Sequence, residues 1–170
     1  LKGSFIPDKT FRELRHLTRY RKSIVRDSTA QKNRIDKFLQ SSGFRFTAFL
    51  SDAFGASGRN IIRHLMEYGN ISREALDRCL KTQTRKRIDE ILIALNGSLS
   101  EHQRGFLRMI FGHLEALEQH RHTVEDAITK EITKHEEALS LLCSIPGIDV
   151  TAAAAIIAER YQLPSGGRHR

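Results

Sequence analysis

Apolar residues recur at three- and four-residue steps along most of the chain. Phe11, Leu14, Leu17, Ile24, Val25, Ile35, Phe38 and Leu39 form the first stripe, with the spacing of one buried helix face. It predicts a single helix from about residue 9 to Gln40, opened by Asp8 after Pro7 and ended by Gly43. Across residues 26–33 the stripe thins, and a helix there would be exposed. Residues 44–58 then hold four phenylalanines and two glycines. They read as a short helix and a turn at Gly55–Gly58, followed by a helix as far as Gly69. Asn70 or Ser72 caps the next short helix, and another runs through residues 85–95 to Asn96 and Gly97. Residues 44–97 thus form a group of short helices.

Ser98 or Ser100 opens the longest expected element, which has no proline before about Cys143. Leu107, Ile110, Leu114, Leu117, Val124, Ile128, Leu139 and Leu142 mark most of a heptad seam, weakened where Arg121, Glu131 and His135 fall on it. At 1.5 Å per residue, about 45 residues reach roughly 65 Å, so such a helix must lie against another. A homodimeric partner is favoured; an intrachain hairpin with the first helix is the alternative. No strand pattern occurs. The expected fold is all-α, with long coiled-coil-like helices, a compact group of short helices and a C-terminal helix-hairpin-helix-like unit. Its segments are 1–43, 44–97, 98–143 and 144–170.

The last segment opens on LLCSIPGIDVTAAAAIIAE, residues 141–159. Pro146 stops the preceding helix, and Gly147 can adopt a left-handed backbone. Ile145 and Ile148 flank the turn, Asp149 or Thr151 caps the next helix, and the alanines admit a close helix neighbour. This is the pattern of a helix-hairpin-helix, in which the turn amides of Gly147, Ile148 and Thr151 would face a phosphate oxygen. A plain turn between two helices uses Pro and Gly equally well. Both readings stand.

Charge changes this picture at one end. Residues 1–40 hold eleven Lys/Arg against four acids, while the other 130 hold seventeen against sixteen. A basic arm on a balanced body suits an anionic partner, nucleic acid before membrane, although a solvated helix face has the same composition. Arg12, Arg15, Arg19 and Lys22 step along one side of the first helix, and Arg21 and Arg26 widen that surface. Contact with phosphate there would be salt-sensitive and sequence-tolerant. Tyr20 could stack on a base but fits a core position too. No apolar run approaches the ~20 residues of a membrane span. Two distant cysteines, Cys79 and Cys143, argue against a disulfide framework and for a reducing cytoplasm. His113, His120 and His122 lack the i, i+4 spacing of a helical metal site and read as solvated positions. FGASGR, residues 54–59, lacks the Lys-Ser/Thr ending of a phosphate loop. It reads as a tight packing turn, with Arg59 as a backbone contact.

Three stretches together resemble transposases of the insertion-sequence 110/116/902 family. SFIPDKTFRELRHLTRYRKSIVRDSTAQKNRIDKFL resembles the segment after the family's catalytic domain. LSDAFGASGRNIIRHL resembles its middle block, and LLCSIPGIDVTAAAAIIAE the opening of its C-terminal domain. The resemblance implies a recombinase that cuts and rejoins DNA, in some members guided by RNA. It implies an N-terminal RuvC-like domain with four acids holding Mg²⁺, a coiled-coil region, and a C-terminal serine nucleophile. This chain opens after the last of those acids. Where the family proceeds to its serine, it reads RYQLPSGGRHR. Ser165 stands too early to be the nucleophile. A transposase fragment is therefore expected, without catalytic residues, metal or cofactor of its own, Mg²⁺ belonging to the full-length family. Its expected nucleic-acid contacts are Arg12, Arg15, Arg19, Arg21, Lys22, Arg26, Gly147, Ile148 and Thr151. DNA is the expected partner, guide RNA a further candidate, and a second copy binds through the long helix. The alternatives are a helical self-association scaffold without a nucleic-acid role and a stand-alone repair-type module built on the hairpin.

Overall fold

Leu14, Ile24, Ile35 and Leu39 all turn inward along one unbroken helix, α1 (Lys9–Ser41). The structure, a computed structural model, describes residues 9–50 and 52–160. The cap expected at Asp8 and the segment around Ser165 lie outside the described residues. After α1 come a 3₁₀ turn (Phe46–Ala48) and four short helices: α2 (Ala56–Tyr68), α3 (Arg73–Cys79), α4 (Thr82–Arg85) and α5 (Ile88–Ala94). The long α6 (Glu101–Ile132) comes next, then a second 3₁₀ turn (Thr133–His135), α7 (Glu136–Cys143) and α8 (Val150–Arg160). The fold is all-α, and among the described residues no strand forms.

Local chemistry sets several of the helix ends. Ser72 caps α3 by accepting from the Ala75 amide at 3.3 Å. Ser100 and Gln103 cap α6 reciprocally, with backbone-to-side-chain distances of 2.9 and 3.3 Å. Two expected helices are broken. The one read over 85–95 divides at Lys86–Arg87 into α4 and α5. The long element stops at Ile132 rather than near Cys143. There the Thr133 hydroxyl donates to the Lys130 carbonyl at 2.8 Å, a local bond that competes with regular helix. The tightened turn lets Leu139 and Leu142 pack with Ala154 and Ile157 of α8.

The chain divides into two compact units, one of Ser28–Ala116 and one of Leu1–Asp27 with Leu117–Arg170. α1 and α6 each contribute residues to both units. In the Ser28–Ala116 unit, Ile35 and Leu39 of α1 share a core with Ile61, Ile62 and Leu65 of α2, Leu76 and Ile91. Leu107, Ile110, Phe111 and Leu114 of α6 join them. Gln31, almost fully buried, donates to the Ile110 carbonyl at 2.7 Å. In the discontinuous unit, Phe11, Leu14 and Ile24 meet Val124, Ile128 and Ile132 of α6 and Ala154, Ile157 and Ala158 of α8. Within the chain, Leu107, Ile110, Leu114, Val124 and Ile128 of the α6 seam are buried, and Leu117 is partly buried.

Candidate nucleic-acid interface

α1 carries most of the expected phosphate contacts, and burial sorts them. Arg12 and Lys22 are exposed and form no ion pair among the described residues. Arg26 is also exposed, near Asp27 at 3.8 Å and donating to Ser23 Oγ at 3.3 Å. Arg19 is exposed but reaches Glu159 with two bonds of 3.1 and 3.3 Å. Arg21 is mostly covered and donates to Glu125 at 2.8 Å.

Arg15 departs from expectation. Only 9% of it is exposed, and its Nε and Nη2 donate to the Ala158 carbonyl at 3.1 and 2.8 Å. That carbonyl belongs to the last turn of α8, where backbone acceptors lack helix partners and the dipole is negative. Arg15 therefore caps a helix. It points into the unit because α8 covers the flank of α1 that the sequence alone leaves open.

A turn at Pro146-Gly147 joins α7 to α8, and several of its polar groups are occupied. The Ile148 amide donates to the Ile145 carbonyl at 3.1 Å, and Gly147 has φ of +88°. Pro then Gly with positive φ at the centre is the type II turn. A Cβ on Gly147 would meet nothing within 4 Å, so the glycine serves the backbone angle alone. Asp149, rather than Thr151, caps α8 by accepting from the Ala152 amide at 2.7 Å. Its carboxylate sits where a phosphate would have to approach. Thr151 and Ile148 are half-buried and Gly147 is exposed.

FGASGR is the packing turn expected, with the helix starting earlier, at Ala56. A Cβ on Gly58 would lie 1.8 Å from the Ala53 carbonyl oxygen, and Arg59 Nε donates to the Phe54 carbonyl at 2.7 Å. Burial pushes the Cys79 thiol up, against the pull of nearby Arg78, which suits an inert thiol. His113, His120 and His122 are exposed on α6. Among the described residues no group of three His, Cys, Asp or Glu could hold a metal ion. Among them, too, no helix is long and apolar enough to cross a membrane.

Residues 1–43 match a transposase family. It is the DEDD transposase of insertion sequence 110, and within the described residues the matched stretch is α1 and the turn after it. The match ends at Gly43, whose φ of +88° takes the chain out of the helix. The transposase resemblance thus rests on α1, the helix that carries Arg12, Lys22 and Arg26. No curated protein and no solved structure gives a match. Reading charge by long windows misses a second set of cations, Arg78, Lys81 and Lys86. Its signal was present as five Lys/Arg without an acid over residues 78–87.

Proposed function

We propose that this chain is a nucleic-acid-binding segment of an insertion-sequence transposase, contributing to DNA transposition through the exposed cations of α1. The observation that carries the reading is the coincidence of the transposase match with the basic helix. Arg12, Lys22 and Arg26 present charge to solvent, and Arg19 extends it where Glu159 does not neutralise it. Contacts of this kind track phosphates and release counterions without reading bases. Arg15 and Arg21 hold the structure behind that face. DNA is the expected ligand, with an element-encoded RNA as the other, and neither catalysis nor metal binding is assigned to this segment.

The test is affinity for labelled duplex DNA and for a structured RNA, followed against salt. Affinity should fall steeply with salt, and the better ligand names the partner. Arg12→Gln, Lys22→Gln and Arg26→Gln together should flatten the slope of log affinity against log salt by about 2 to 3, at about 0.9 per phosphate contact on duplex. An unchanged slope in the folded variant would remove α1 from the interface.

A further inference from the structure

The Ser28–Ala116 unit has fourteen Lys/Arg and nine Asp/Glu, a surplus of five. Residues 78–87, RCLKTQTRKR, hold five cations and no acid. That run accounts for the whole surplus, and the rest of the unit is balanced. All five side chains are exposed along the edge formed by α3, α4 and the start of α5. Two are engaged locally. Arg85 pairs with Asp77 at 2.9 Å, and Arg87 donates twice to Glu90, at 3.0 and 2.7 Å. Arg78, Lys81 and Lys86 form no ion pair among the described residues.

Lys81 and Arg87 of this run line an open cavity of about 380 Å³, at the small end of the roughly 300–1,000 Å³ of ligand sites; Arg78 and Lys86 stand outside its lining. Phe49 and Leu50 supply its apolar lining and Lys81, Arg87, Gln83 and Asp52 its polar groups; Asp52 Oδ1 accepts from the Phe54 amide at 3.0 Å, which leaves Oδ2 for a ligand. The Arg87 guanidinium lies over the Phe49 ring, 5.5 Å from its centroid, so the two side chains form one cation–aromatic pair in the lining. An open depression that offers an aromatic side chain, a carboxylate oxygen and two cations has groups that suit a nucleotide. A base goes inside and its phosphates stay outside. A duplex keeps its bases stacked and paired, and has none to offer.

We propose that the α3–α5 edge binds single-stranded nucleic acid, with backbone phosphates on Arg78, Lys81 and Lys86 and one unstacked base in the cavity against Phe49. Asp52 accepts from an exocyclic amine, which adenine, cytosine and guanine have and thymine and uracil lack. The site shares with the α1 proposal the premise that this chain handles nucleic acid, and stands on a different surface.

The experiment measures fluorescence anisotropy of labelled 12-mers with the whole chain over a salt series: dA12, dT12, a mixed-sequence duplex, and the RNA counterpart of dA12. The single strand dA12 should bind more tightly than dT12, and, in the Arg12→Gln, Lys22→Gln, Arg26→Gln variant, more tightly than the duplex. The dA12–RNA pair tells which backbone is preferred. Arg78→Gln, Lys81→Gln and Lys86→Gln together should lower the single-strand salt slope by about 2, at about 0.7 per contact. Asp52→Asn should narrow the gap between dA12 and dT12. Phe49→Ala should weaken dA12 about tenfold, the size of one lost base–aromatic stack; since Phe49 also packs on the core, the surface triple variant carries the decision. A folded triple variant with an unchanged single-strand slope overturns the proposal, as does a preference for duplex that persists once Arg12, Lys22 and Arg26 are neutralised. Loss in the α1 variant alone would sink this site and spare the α1 reading; loss in the α3–α5 variant alone would do the reverse.

Discussion

The two units hold together by different balances of the same forces. Ser28–Ala116 is contiguous in sequence and, among the described residues, buries eighteen apolar side chains in one core. The other unit joins residues from both ends of the described chain around a core of nine. Both use one device. A short helix ends against arginines of a long one: Arg108 donates to the Met66 carbonyl at the end of α2 at 2.7 Å, assisted by Arg104 to Glu67. Arg15 does the same for α8. In the larger core that tie is an accessory, with α2 already locked by Ile61, Ile62 and Leu65. In the smaller core it closes a helix whose buried face is mainly alanine. A basic composition therefore overstates the charge available to a ligand, because part of it terminates helices.

The sharpest way to separate the units is Gly58→Ala. Its Cβ would fall 1.8 Å from backbone oxygen, so Ser28–Ala116 should lose about 3 kcal/mol, at the top of the overpacking range. Residue-resolved hydrogen exchange should show amides of α2 and α3 losing protection while those of α8 keep theirs. Arg15→Ala should do the opposite. A lost charge-assisted pair of bonds to a buried helix end costs about 2 kcal/mol, read as faster exchange in α8 with α2 unchanged. If both units loosened equally in either variant, they would not be separate cooperative bodies. Smaller still is Gly147→Ala, about 1 kcal/mol from the positive φ alone, confined to α7 and α8 and visible as a modest drop in urea midpoint.

The smallest expected effect is of pH. Partial burial holds the His64 pKa below the usual 6.5, with Glu67 pulling it up and Arg78 pushing it further down. The folded protein then binds this proton less readily than the unfolded chain. The resulting stability is present in full above about pH 6.5 and declines as pH falls through that value. Urea melts at pH 7.5 and 5.5 should differ slightly, and His64→Gln should reduce the difference.

Much of this architecture was legible in the residues. The stripe of α1 with Gly43 at its end, the cap at Ser72, and Pro146-Gly147 as a turn all arise from local chemistry, and local chemistry is what a sequence displays. The interruption at Thr133–His135 was not visible, because Ile132 and Leu139 are seven residues apart and keep the heptad phase across it. Nor was the fate of Arg15. It lies beside Leu14 on the boundary between polar and apolar faces, and only the arrival of α8, 143 residues later, decides that it is covered. For the interface, the long basic helix was conspicuous and the ten-residue run at 78–87 was diluted by the acids around it.

The separation between Arg15 and Ala158 also has a meaning in time. A ribosome adding about 5–20 residues per second takes on the order of ten seconds to travel from one to the other. The contiguous unit can fold as soon as Ala116 clears the exit tunnel. The start of α1, made first, waits for its cover until α8 emerges, with Phe11 and Leu14 meanwhile available to chaperones. The first half of α1 thus precedes the rest of its unit in synthesis and is covered only when α8 arrives, while the second half already belongs to the contiguous unit.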